Sequence, residues 1–178
     1  LILWIPFGFR GTCYYMRKVY HRSFFQNPSA CMVSKPDINH TLGYSGERGI
    51  FIFNNLHRYM LYLAIAILSM KYYDVVHTMQ FSGSWGLSVG TFVLAIESFL
   101  LTMYVISCHA FRHLVGGSLK QWRGGASSIA GRIFRFSSRH NVHHNLWFWT
   151  SLAMVFLGDL FVMAVAEGLI SDPRFILG

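Results

Sequence analysis

Charge is what this sequence has least of. Asp, Glu, Lys and Arg make up 12% of the 178 residues, about half the roughly 25% usual in a soluble domain. Only seven residues are acidic. Cysteine is scarce too: three residues, an odd number without paired spacing, exclude a disulfide framework. No basic start precedes the first apolar run and no cleavage site follows it, so a signal peptide is not expected. No internal repeat or low-complexity tract stands out. What abounds is apolar and aromatic. Hydrophobic residues reach 53% and aromatics 17%, with 16 Phe, 9 Tyr and 5 Trp, and the mean hydropathy is +0.39. So many aromatics exclude a disordered chain. The net charge of +8 would suit nucleic acid, but the bases sit between long apolar runs, so no nucleic-acid partner is expected. The lipid bilayer is the expected surrounding.

A helix needs about 20 apolar residues to cross a bilayer. Three runs qualify, at about 50–73, 87–111 and 146–170. The opening run from Leu1 to Phe9 is too short to span and is expected to be the cytoplasmic end of a further, N-terminal helix. The expected fold is therefore all-α, a transmembrane helix bundle forming one membrane-anchor domain over residues 1–178. Of the 15 bases, Arg10, Arg17, Lys18, Arg22, Lys35, Arg48 and Arg58 precede or open the first full span. Arg112, Lys120, Arg123, Arg132, Arg135 and Arg139 lie between the second and third. Only Lys71 and Arg174 fall on the other side. Because cytoplasmic loops retain Lys and Arg, the segments 10–49 and 112–145 are expected to be cytoplasmic. Tyr14, Tyr15, Tyr20, Phe24 and Phe25 among the bases suggest an amphipathic surface segment or a docking face.

Histidine and cysteine are placed unevenly. Cys13, Cys31, His57, Cys108, His109, His113, His140, His143 and His144 all fall at the basic side of the spans. His109 and His113 are four apart and share a helix face, a spacing that can hand two imidazoles to one metal. Each feature alone suits a small buried hydrophobe or a hydrogen-bonded histidine. Together they suit a redox centre. Two thiolates and two imidazoles fit a Rieske-type [2Fe–2S] cluster, two imidazoles a haem b, and four ligands zinc. Glu97 and Asp159 lie within spans, where an unpaired charge costs about 2.5–3.5 kcal/mol. With no base expected at that depth, hydrogen-bonded carboxyls joining helices are favoured over a proton path.

Several stretches look familiar together. They are Gly8-Phe9-Arg10-Gly11-Thr12-Cys13-Tyr14-Tyr15-Met16-Arg17-Lys18, Pro28-Ser29-Ala30-Cys31, Asn54-Asn55-Leu56-His57-Arg58-Tyr59 and Ser107-Cys108-His109-Ala110-Phe111-Arg112-His113. In these the chain resembles the cytochrome b-like membrane anchor of succinate dehydrogenase (respiratory complex II), of the haem-less single-anchor kind found in actinobacteria. The resemblance implies a multi-pass protein of the bacterial cytoplasmic membrane. Its partners would be an iron–sulfur subunit and a flavoprotein subunit that oxidises succinate, and it would reduce a quinone, here menaquinone. It also implies a Rieske-type [2Fe–2S] cluster on two Cys and two His. By position, Cys13 and Cys31 form the expected thiolate pair, with Cys108 in reserve. His57 and His109 rank first among the imidazoles, then His113, with His140 last. The paired C-x-H and C-x-x-H loops of familiar Rieske proteins are absent, which leaves haem b open. The quinone headgroup is expected near Tyr14, Tyr15, Arg17, His57 and Tyr59. Two other functions remain: a haem b anchor of a fumarate reductase, and a proton-conducting transporter component using Glu97 and Asp159. A second haem would find only His77 on the far side.

Overall fold

Helices dominate because the three long apolar runs lack Pro and hold their own backbone hydrogen bonds, as any segment in lipid must. The computed structural model describes residues 4–13, 15–16, 53–81, 84–116 and 128–177. Among these are six helices: α1 (Trp4–Gly11), α2 (Phe53–His77), α3 (Val89–Ile106), α4 (His109–Gly116), α5 (Ile129–Asn141) and α6 (His144–Ala166). Three stretches, Leu56–His77, Val89–Ile106 and His144–Ala166, are long and apolar enough to cross a membrane. The chain divides into two compact units, Leu1–Leu61 and Tyr62–Gly178.

In the first unit, α1 approaches the start of α2 closely. A Cβ on Gly8 would sit 3.3 Å from the sulfur of Met60, so the small residue permits the contact. Phe9, Cys13, His57 and Leu61 are buried.

In the second unit, α3 and α6 run antiparallel. Tyr104 lies beside His144 and Phe148, and Glu97 lies beside Gly158. Ser98 and Ser151 are fully buried on these helices. Small residues are what membrane helices use to pack when water supplies no hydrophobic drive between them.

Two details depart from an apolar run simply becoming a helix. The stretch expected over 87–111 ends as a helix at Ile106 and resumes as α4 at His109. Side chains from α5 take up the backbone groups freed there. Ser137 Oγ donates to the carbonyl of Ile106 and Asn141 Nδ2 to that of Ser107, each at 2.6 Å. Terminal carbonyls of a helix need such partners. The other departure is a small antiparallel sheet of β1 (Gln80–Phe81), β2 (Ser84–Ser88) and β3 (Arg174–Leu177), with Gly86 opposite Ile176 and Leu87 opposite Phe175.

That same end is locked twice more. Ser88 and Thr91 form a reciprocal capping box at the start of α3. Asp172 Oδ1 accepts from the Gly90 amide at 2.9 Å, placing a carboxylate at the positive end of the helix. The chain reaches Asp172 through Gly168, whose φ of 72° ends α6. The Gly168 amide bonds the Val165 carbonyl and the Leu169 amide the Ala164 carbonyl, the Schellman pattern that favours glycine.

Candidate functional site

The first unit builds a small polar motif where α1 ends. His57, on the first turns of α2, is buried and stacks on Phe9 with ring centroids 4.6 Å apart and planes 9° from parallel. Its Nδ1 lies 3.0 Å from the hydroxyl of Thr12. That hydroxyl already donates to the Gly8 carbonyl at 2.6 Å, a separation two oxygens reach only with a hydrogen between them. Thr12 therefore accepts from His57, which fixes the neutral ring as the Nδ1–H tautomer with its lone pair on Nε2. Cys13, buried, follows Thr12 directly.

The second unit builds the same motif where α3 ends. His144, the first residue of α6, is buried and stacks on Tyr104 at 5.0 Å and 18°. Its Nδ1 lies 2.7 Å from the hydroxyl of Ser107, which is itself 3.1 Å from the Tyr104 carbonyl it donates to. Cys108, buried, follows Ser107. The spacing matches residue for residue. Phe9, Thr12 and Cys13 correspond to Tyr104, Ser107 and Cys108, an aromatic, a hydroxyl three later and a thiol four later. In each case a helix runs out at the hydroxyl and thiol, and the histidine belongs to the opening of a later helix.

The residues expected at the site distribute as follows. Cys13 and His57 share the first motif. Tyr15 is half-buried, and Tyr59 is 66% exposed. It stands two residues from His57, a spacing that puts the pair on different faces of α2. Cys31, Tyr14 and Arg17 lie outside the described residues. His109 opens α4 and is exposed; the backbone of His113 lies on α4 and its side chain is outside the described set. Among the described residues, no three of His, Cys, Asp and Glu group as a metal site would. His144 was not singled out by sequence reasoning, and Cys108 stood only in reserve. The signal for Cys108 was present in the repeat of Phe9-Arg10-Gly11-Thr12-Cys13 as Tyr104-Val105-Ile106-Ser107-Cys108. Only the cysteine is identical between the two stretches; the aromatic and the hydroxyl repeat as residue classes, which a search for like residues passes over.

One expectation is corrected. Glu97 does have a base at its depth: Lys71 Nζ, from α2, lies 2.7 Å from Glu97 Oε1. A lysine near the end of a span lowers its ammonium along a four-carbon stem, so its position in sequence understates its reach. Glu97 is 1% exposed, and a Cβ on Gly158 would come within 2.8 Å of its Oε2. Glycine at 158 thus makes room for the carboxylate. Asp159, by contrast, is exposed.

The actinobacterial succinate dehydrogenase subunit SdhC family matches residues 1–168. Among solved structures, the chain is similar to a chain of the Mycobacterium smegmatis Sdh1 complex in the apo form, with 34% identity and a TM-score of 0.78. The likeness covers 98% of this chain and 64% of that one, so this chain spans less than two thirds of its relative's length. No curated protein matches it.

Proposed function

Because the chain belongs to the family of actinobacterial succinate dehydrogenase subunit SdhC, we propose that it anchors a succinate:quinone oxidoreductase in the cytoplasmic membrane, basic face inward. There it docks an iron–sulfur subunit, joined in turn to a flavoprotein subunit, and reduces a quinone, menaquinone in the bacterial setting the family implies. The observation that carries the redox part is the twice-built motif. Burying an imidazole and a thiol side by side in sequence, twice, and tying each Nδ1 to a hydroxyl is more than packing requires.

The donor types fit a Rieske-type [2Fe–2S] centre, which takes two thiolates and two imidazoles. Each unit offers one thiol and one imidazole of that kind, Cys13 with His57 in the first and Cys108 with His144 in the second, and Cys31 is a further thiol. His109 and His113 are second choices, since His109 is exposed. Such a centre, when bound, carries one electron at a time. The chain's own contribution is orientation. A ligand histidine is held by the bond at its other nitrogen, so Thr12, which accepts from His57 Nδ1, would steer coordination to Nε2 of that ring. Phe9 and Tyr104 hold the ring planes. Quinone would be bound by donors such as Tyr14, Tyr15, Arg17 and Tyr59, with Arg17 opposing negative charge on a carbonyl oxygen.

A haem iron also takes an imidazole whose Nδ1–H is hydrogen-bonded, and this keeps a haem b anchor as the second reading. The paired thiols favour the cluster. The purified complex decides. A Rieske-type EPR signal, with strong nitrogen coupling after 15Nε2-histidine labelling and not after 15Nδ1 labelling, supports the cluster and its orientation. A Soret band without that signal supports haem. With neither, the redox reading fails.

A further inference from the structure

The end of α3 and the start of α6 are joined by a closed ring of polar contacts. His144 Nδ1 meets Ser107 Oγ at 2.7 Å. Asn141 Nδ2 donates to the Ser107 carbonyl at 2.6 Å, and Asn141 Oδ1 accepts from Arg112 Nη1 at 3.2 Å. Asn141 stands three residues before His144, and Arg112 four after Cys108, so the backbone itself completes the ring. With Arg112 giving a hydrogen on one side and a carbonyl taking one on the other, only one orientation of the Asn141 amide satisfies both. Ser107 and His144 belong to the hydroxyl–imidazole motif. Arg112 and Asn141 stand behind it.

Helix energetics would not place a base at 112. It lies near the start of α4, the end where the helix dipole disfavours positive charge. Helical side chains lean toward the N-terminus of their helix, which carries the guanidinium back toward the break after Ile106. There it is half-buried, lies 5.3 Å from the centre of the Phe134 ring and bonds Asn141. A ring face attracts a cation at that distance, so two residues of α5 hold it. Cys108 is the joint between the helices. Its amide bonds the Val105 carbonyl in the last turn of α3, and its carbonyl accepts from the Arg112 amide in α4.

We propose that Arg112 is a positioning residue for the Cys108–His144 motif, acting through Asn141. Its cation polarises the Asn141 amide and strengthens the bond from Nδ2 to the Ser107 carbonyl. That bond fixes the break, and with it the Ser107 hydroxyl that meets the His144 ring. Ser137 Oγ clamps the residue before, on the Ile106 carbonyl at 2.6 Å. The proposal rests on the reading of Cys108 and His144 as redox ligands, and all its contacts lie within the second unit. The competing role is plain packing of α4 on α5, which would leave the imidazole unaffected. The ring of contacts favours positioning. Packing needs Arg112 against Phe134, but not an amide whose other end reaches Ser107.

The test compares Arg112→Met, Asn141→Leu and the double variant in the purified complex. Residues that act in series give non-additive effects. Each single variant is expected to speed amide exchange over residues 105–110 several-fold, and the double variant no further, with exchange around Glu97 at the parental rate. Each is also expected to move the ring 15N signals of His144 in histidine-labelled protein, and Arg112→Lys, which keeps the charge and a donor, to bring them part of the way back. If Arg112→Met matches the parent in exchange and ring signals, or if the two substitutions add, the proposal is wrong. Faster exchange with unmoved ring signals means that Arg112 only packs helices, which also overturns it. A parent complex with neither a Rieske-type signal nor a Soret band sinks the redox reading alone. The ring signals then still decide whether Arg112 positions His144.

Discussion

Replacing Lys71 by Met should destabilise the second unit by about 2–4 kcal/mol, and the size can be reasoned from the pair itself. Lys71 Nζ and Glu97 Oε1 are 2.7 Å apart, with the carboxylate 1% exposed and the lysine side chain 28% exposed. At that distance and an effective dielectric near 20, the direct attraction is about 6 kcal/mol. Breaking a buried pair by removing one partner costs about 3–5 kcal/mol, because the other charge stays behind. The lysine side chain is only partly buried, so the penalty falls toward the lower end of that range. Removing both charges removes the cause. Lys71→Met with Glu97→Gln should therefore recover most of the loss. Glu97→Gln alone should cost less than Lys71→Met, since the partly exposed ammonium can swing out along its stem. Thermal unfolding of the detergent-solubilised complex, run as a double-mutant cycle, measures the coupling. If Lys71→Met unfolds with the parent, or if the double variant is no better than the single one, the pair is not what stabilises these helices.

Gly158→Ala should cost about 1–3 kcal/mol by overpacking, since the new Cβ would stand 2.8 Å from Glu97 Oε2; an unchanged melting temperature would show that the carboxylate moves freely. Asp172→Ala removes the acceptor of the Gly90 amide and should cost about 0.5–2 kcal/mol, as lost helix N-terminal partners do, with faster amide exchange at Gly90 as the local check. Thr12→Val keeps the shape and removes the acceptor for His57 Nδ1, so it should cost about 1–3 kcal/mol, while Thr12→Ser should restore the parental stability. Equal melting of the Val and Ser variants would mean the hydroxyl does not hold the ring.

The spans were legible in the sequence because apolar length is a one-dimensional signal. Leu56–His77, Val89–Ile106 and His144–Ala166 can be read off composition alone. The break after Ile106 was not legible. Ser107 and Cys108 do not interrupt hydropathy, and the partners that permit the break, Ser137 and Asn141, stand some 30 residues away. The sheet was hidden for a similar reason: β3 pairs with a strand more than 80 residues earlier, and neither is long enough to show alternation. His57 was found because it stands near the start of a span with bases around it. His144 stood among three histidines, His140, His143 and His144, with nothing in sequence to rank them. Burial ranks them, and burial follows from which face of α6 meets Tyr104.

That face is chosen by polar pins along one pair of helices. Gly90 with Asp172 holds one end of α3, Glu97 beside Gly158 and Lys71 the middle, and Ser107 with His144 the other end. In lipid, apolar contacts alone distinguish registers poorly, because a slipped helix trades methyl groups for acyl chains of equal polarity. A slip of one turn would move His144 by about 5.4 Å, far beyond a 2.7 Å hydrogen bond. It would also strand Glu97 against a residue larger than glycine. The ion pair midway along α3 and the hydroxyl–imidazole bond at its end therefore select the same register. Lys71→Met should for that reason loosen the His144 ring as well as the pair it breaks, visible as faster exchange of the Ser107 region in a variant whose substitution lies on a different helix. If exchange rises around Glu97 and stays at the parental rate around Ser107, the two pins act separately and the stacking of His144 on Tyr104 fixes that end alone.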